Sequence, residues 1–84
     1  LYLKLINDEW VVKDNKLIRS FCFDQYTEVI KFVNIIFNLS EDEGHHPYIH
    51  VDFKSVKIIL FTHKIDGLHE NDFLMGGKID KLYN

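Results

Sequence analysis

Tyr48-Ile49-His50-Val51-Asp52-Phe53-Lys54-Ser55-Val56-Lys57-Ile58-Ile59-Leu60-Phe61-Thr62-His63 is the stretch on which the fold turns. Its pattern predicts two strands, 48–53 and 56–63, with Lys54-Ser55 between them. In the second strand Val56, Ile58 and Leu60 alternate onto one face, while Ile59 and Phe61 fall on the other. Apolar residues on both faces mark a central strand, or one whose second face serves a partner.

Upstream, two β-prone runs, 10–13 and 17–23, flank Asp14-Asn15-Lys16, a natural hairpin turn because Asp and Asn tolerate turn conformations. Leu17, Phe21 and Phe23 share one strand face; Ile18, Ser20 and Cys22 share the other. From residue 24 to about 40 the period becomes helical, and Tyr26, Val29, Ile30, Val33, Ile36 and Phe37 form a wide apolar stripe. Asp24 is the expected N-cap. Glu41-Asp42-Glu43 then follow, a poor match for a helix C-terminus, which prefers cations. Either the helix ends earlier, or the acids serve another purpose.

Gly44 to Pro47 read as a loop. After Gly67 a last helix is expected over 70–82, although Gly76-Gly77 within it costs roughly 1 kcal/mol per Gly relative to Ala. Leu1, Leu3, Leu5 and Ile6 suggest the end of a helix. Because the chain starts at Leu1 rather than Met, that helix is expected to be incomplete. The order (α)ββαββα predicts an α+β domain over 1–84, a two-layer structure with a four-stranded antiparallel sheet and its helices packed on one face.

Composition bounds the function. Eighty-four residues allow one domain with a thin core, filled in large part by seven Phe, four Tyr and one Trp. A single cysteine, Cys22, rules out an intramolecular disulfide framework and reads as a small packed residue. Small domains without such staples often gain stability by self-association. Thirteen Asp and Glu outnumber ten scattered Lys and Arg, for a formal charge of −3, which argues against direct nucleic-acid binding. No run of 18 apolar residues spans a membrane and no signal peptide is visible. The expected location is the cytoplasm, with the nucleus as a second compartment.

Five histidines are many for this length, and three fall in a patterned segment. Glu41 precedes His45-His46-Pro47; Thr62-His63, Gly67-Leu68 and Asp72 follow. Pro47 pushes His46 toward extended backbone. Neighbouring side chains in extended chain point to opposite sides, so His45 and His46 have different tasks. His63 falls at the end of the fourth strand, where it can meet the loop before the third. Imidazoles suit proton transfer near neutral pH, and a nearby carboxylate fixes their tautomer.

The run Glu41-x-x-x-His45-His46-Pro47, then Val56-x-Ile58-x-Leu60-x-Thr62-His63, then Gly67-Leu68-x-x-x-Asp72, resembles the pterin-4a-carbinolamine dehydratases. The similarity continues upstream through Phe21-x-Phe23-x-x-Tyr26 and Trp10, covering nearly the whole chain. The resemblance implies a hydro-lyase that converts 4a-hydroxytetrahydrobiopterin to quinonoid dihydrobiopterin and water, in tetrahydrobiopterin recycling. It implies general acid/base catalysis with neither cofactor nor metal, and a homodimer or homotetramer. Some animal members also bind a transcription factor, so a non-enzymatic interaction protein is the alternative.

By the same resemblance His45 and His63 are the acid/base candidates, His46 holds the pterin and Glu41 tunes the cluster. Which histidine is acid and which base stays open. The substrate lining is expected at Gly44, His45, His46, Phe61, Thr62, His63 and Lys64, with Phe61 and Lys64 contributing main chain. Trp10 is a stacking candidate, though a lone Trp is more often core. Asp72 and Pro47 are supporting residues, and Asp72 also has a structural reading as a residue reaching back to a cap amide. The expected Ser or Thr cap is replaced by His69. His46 and His50, about 13 Å apart along a strand, cannot share a zinc ion; His45 with His63 and a carboxylate is the remaining metal alternative.

Overall fold

Two consecutive residues with positive φ, Asp14 at 53° and Asn15 at 61°, join Val11–Lys13 (β1) to Lys16–Cys22 (β2). This turn follows the twist of the flanking strands, and Lys16, expected in the turn, already pairs with Lys13. The computed structural model describes residues 2–83, so the expectation on Leu1 lies outside it. The chain continues through Tyr26–Glu43 (α1), Tyr48–Val51 (β3), Ser55–Leu60 (β4) and Glu70–Tyr83 (α2). Short 3-10 turns occupy Tyr2–Leu5, where a helix end was expected, and His63–Ile65.

The four strands form an antiparallel sheet in the order β1-β2-β4-β3. The doubly apolar β4 is therefore central, as its pattern predicts. Its Val56, Ile58 and Leu60 are fully buried with Leu17 and Phe21 of β2. Both helices cover that face through Val29, Phe32 and Ile36 of α1 and Phe73, Met75 and Ile79 of α2. The β3–β4 turn is tied by the Asp52 carboxylate, which accepts from the Lys54 and Ser55 N–H groups and the Ser55 hydroxyl. The Lys54 bond above all, then the Ser55 hydroxyl, holds the Asp52 carboxyl below its ordinary range.

Three local expectations are corrected. The N-cap of α1 is Gln25, not Asp24, in a reciprocal capping box with Glu28. The buried stripe is Val29, Phe32, Ile36 and Ser40, while Tyr26, Ile30 and Phe37 are exposed. The two apolar rows lie roughly a quarter-turn apart at 100° per residue, and periodicity alone merges them. Cys22 is exposed rather than packed.

Arg19 lies on the buried face of β2 between Leu17 and Phe21. Its guanidinium covers the Phe21 ring at 4.3 Å and meets Asp80 of α2 at 2.6 Å. Asp80 also accepts from the Trp10 indole N–H and the Asn7 backbone N–H, each at 2.8 Å. This carboxylate joins the N-terminal segment, the sheet and α2. Between the helix and that segment sits Gly77, where a Cβ would collide with the Leu5 carbonyl oxygen. A residue that weakens the isolated helix is required for this close approach.

Two predictions follow from these contacts. In an open helix Gly→Ala stabilises by about 1 kcal/mol. Here Gly77→Ala should instead destabilise by roughly 1–3 kcal/mol, lowering Tm by several degrees; a higher Tm in a circular-dichroism melt would refute the packing argument. A depressed carboxyl stabilises above its unfolded value and loses that contribution as pH falls through its folded value. The Lys54 and Ser55 amide resonances should accordingly move together only below about pH 4.

Candidate active site

The site begins where α1 stops. Gly44 adopts φ 64°, and two bonds close the helix: Gly44 N–H to the Glu41 carbonyl and His45 N–H to the Ser40 carbonyl. This Schellman closure satisfies the last carbonyls and delivers His45 just past the helix end. The helix runs through Glu43, three residues beyond the expected stop. Two of the acids find partners: Glu43 meets Lys78 of α2 at 2.8 Å, and Glu41 meets the His46 Nε2 at 3.3 Å. Both members of the Glu41–His46 pair are largely exposed, so the contact contributes little to stability.

His45 is more tightly held. Its Nε2 lies 2.7 Å from Oδ1 of Asp72, a side chain with no solvent exposure. The other oxygen of Asp72 accepts from the Thr62 hydroxyl at 2.8 Å and from the His69 backbone N–H at 2.9 Å. An ionised carboxylate only accepts, so with Asp72 ionised His45 donates from Nε2, and in a neutral imidazole Nδ1 is then the nitrogen without a proton. Asp72 thus accepts from the backbone at the N-terminus of α2 and from a histidine ring through opposite oxygens. His69 takes the cap position, its Nδ1 accepting from the Asn71 N–H at 3.2 Å.

Thr62 bridges to Gly67 across the 3-10 turn, with Thr62 N–H donating to the Gly67 carbonyl at 2.7 Å. The bridge puts His63 beside the loop that carries His45 and His46. Gly44, His45, His46, Phe61, Thr62, His63 and Lys64 together line one open, shallow concavity of about 410 Å³. The same seven, together with Trp10, are the residues expected from sequence to meet a substrate. Phe61 packs its ring against the His63 imidazole, centroids 4.2 Å apart, so more than main chain is involved at this position.

Trp10 is elsewhere: it is buried in the core, edge-on to Phe21 and bonded to Asp80. Pro47 is half-buried immediately before β3. Tyr48, not foreseen as a site neighbour, stands 5.8 Å from His63 at 88°; the cross-strand register that brings it there has no counterpart in local sequence. Among the described residues no three His, Cys, Asp or Glu side chains converge as a metal site.

Asp72→Asn tests the arrangement. An amide cannot accept from all three donors without turning its own NH₂ toward one of them, and each buried donor left unpaired costs about 1–3 kcal/mol. The variant should melt at lower temperature, and ¹⁵N spectra should show His45 losing its Nε2–H preference. An unchanged tautomer would mean that Asp72 does not orient the ring.

Comparison with known proteins converges on one group. A relative from Alkaliphilus metalliredigens, named "Putative pterin-4-alpha-carbinolamine dehydratase", is 46% identical over 81 residues, which are 95% of this chain and 73% of that one. One of the same name from Saccharophagus degradans is 48% identical over 81% of this chain and 60% of its own length. The crystal structure of a transcriptional coactivator/pterin dehydratase from Brucella melitensis superposes with a TM-score of 0.90 at 26% identity, covering 99% of this chain and 89% of that one. A pterin dehydratase-like protein described as a RuBisCO assembly factor in the alpha-carboxysome gives 0.76 at 25% identity, over 89% and 87%. No helix among the described residues is long and apolar enough to cross a membrane. The family model for pterin 4 alpha carbinolamine dehydratase matches residues 1–82, and the chain belongs to that family.

Proposed function

We propose that this protein dehydrates a 4a-hydroxytetrahydropterin to the quinonoid dihydropterin, as a hydro-lyase of pterin recycling. The observation that carries the reading is the convergence of His45, His46 and His63 on one concavity. An interaction role alone requires none of the three.

The reaction needs little beyond placed proton carriers. The 4a hydroxyl leaves as water once protonated, pushed out by the lone pair of the adjacent ring nitrogen, which then gives up its proton. His45 and His63 are the acid/base pair, His46 holds the pterin, Glu41 tunes the cluster, and main-chain groups of Gly44, Phe61 and Lys64 meet the polar edge of the ring. The Asp72 bond restricts neutral His45 to exchange at Nδ1, while His63 makes no competing hydrogen bond among the described residues. Each placed acid or base contributes on the order of 10²- to 10⁴-fold.

The exposed Tyr26, Ile30 and Phe37 of α1 favour a second, compatible reading, in which the chain self-associates as a homodimer or homotetramer and offers that surface to a protein partner. Transcriptional coactivation belongs to this reading.

The test is the dehydration rate, followed by ultraviolet absorbance above the uncatalysed background. Wild type should accelerate the reaction, and His45→Ala and His63→Ala should each remove roughly 10²-fold or more. His46→Ala should act mainly on KM. A folded wild type that only matches the buffer rate would sink the enzyme reading and leave the interaction role. Light scattering after gel filtration reads the oligomer independently.

A further inference from the structure

Two of the three histidines have polar partners: His45 is held by buried Asp72, and His46 meets Glu41 in an exposed contact. No hydrogen bond fixes the His63 side chain among the described residues, and the residue is exposed. An acid or base must nevertheless stay within about 0.5 Å and 10–20° of its working geometry. What His63 touches instead is carbon. Its ring centroid lies 4.2 Å from that of Phe61, planes inclined at 49°, and 5.8 Å from that of Tyr48, edge to face at 88°. Tyr48 and Phe61 are themselves 5.6 Å apart, so the three rings form a closed cluster.

The sheet builds this cluster. Tyr48 stands opposite Ile59 in the β3–β4 register, and Phe61 lies two residues beyond Ile59. Their side chains therefore leave the sheet on the same face, the one turned away from the helices. The Lys16 ammonium covers the Phe61 ring at 4.9 Å from its centroid, bracing it from β2. His63 opens the 3-10 turn two residues after Phe61, and the Thr62–Gly67 bridge closes that turn.

We propose that Phe61 and Tyr48 are positioning residues for His63, holding its imidazole at the cavity by ring contact while both of its nitrogens stay open. A hydrogen-bonded clamp, like that on His45, commits one nitrogen to the clamp. An aromatic one commits neither, so His63 can exchange a proton with the pterin at one nitrogen and with water at the other. The consequence for rate rests on the dehydratase reading; the ring contact does not.

The decisive variants are Phe61→Leu and Tyr48→Leu, which keep apolar bulk without a ring, and Phe61→Tyr, which restores one. The leucine variants should lower kcat roughly 10- to 100-fold with KM within about twofold, and Phe61→Tyr should recover most of the loss. In a His63→Ala background Phe61→Leu should cost little more, since it acts through a side chain already gone. Independently of activity, the His63 ring protons, shifted by the Phe61 ring current in wild type, should move on Phe61→Leu. Melting curves establish that the variants are folded, and Phe61→Tyr remains informative if leucine weakens the fold. A rise in KM alone, or an undiminished loss in the His63→Ala background, would overturn the proposal. So would unmoved ring protons. If wild type itself fails to dehydrate the pterin, the enzyme reading falls, and the ring-proton measurement still decides whether Phe61 holds His63.

Discussion

One buried carboxylate organises this molecule. Asp72 is fully enclosed and accepts from His45 in the loop after α1, from Thr62 at the exit of β4, and from the His69 backbone at the start of α2. A charge taken out of water must be fully hydrogen-bonded to be tolerated. The start of α2 meets part of that demand through the His69 N–H at the cap and the helix dipole. The remainder is met only if α1, β4 and α2 are all in place, because each donor comes from a different segment. Satisfying the carboxylate and assembling the cavity are therefore one event.

A second carboxylate on the same helix fixes the other end of the domain. Asp80 lies eight residues on, about 12 Å along the axis, and binds Asn7, Trp10 and Arg19. Between the two anchors lies Gly76-Gly77, which weakens α2 as an isolated helix. Tertiary bonding at both ends compensates; the missing side chain of Gly77 lets Leu5 of the 3-10 turn approach the backbone, and that of Gly76 leaves room for Ile6 and Trp10. The low propensity of this stretch is a packing requirement rather than a sign of an uncertain helix.

How legible this was from sequence depended on whether a feature is local. The central position of β4 follows from its doubly apolar alternation, and the 14–15 hairpin follows from residues that accept positive φ. The grouping of Gly44–His46 with Phe61–Lys64 rested on the family resemblance carried by the His pair, Pro47 and Thr62-His63, and these residues line one concavity. Three things were hidden. The buried side of α1 was blurred because Tyr26, Ile30 and Phe37 make a second apolar row beside the first. Arg19 carried no reading, since its partner Asp80 is distant in sequence. Tyr48 looked like an ordinary strand residue, because cross-strand register alone brings it to His63.

The acids at the end of α1 show how these levels interact. Glu41, Asp42 and Glu43 oppose the helix dipole, a penalty of a few tenths of a kcal/mol each at an exposed end. The contacts of Glu41 and Glu43 with His46 and Lys78 are exposed enough to return only part of it. Charge does not explain why the helix continues to Glu43; the position of His45 does. A helix ending near Leu39 would leave several residues of irregular backbone before His45, with no fixed route to Asp72. Ending at Glu43 with Gly44 in the left-handed conformation makes His45 the first residue beyond the closure, its own N–H locked to Ser40. The placement of the imidazole is thus set by a helix-capping motif, and the acidic turn is tolerated because the stop must fall there.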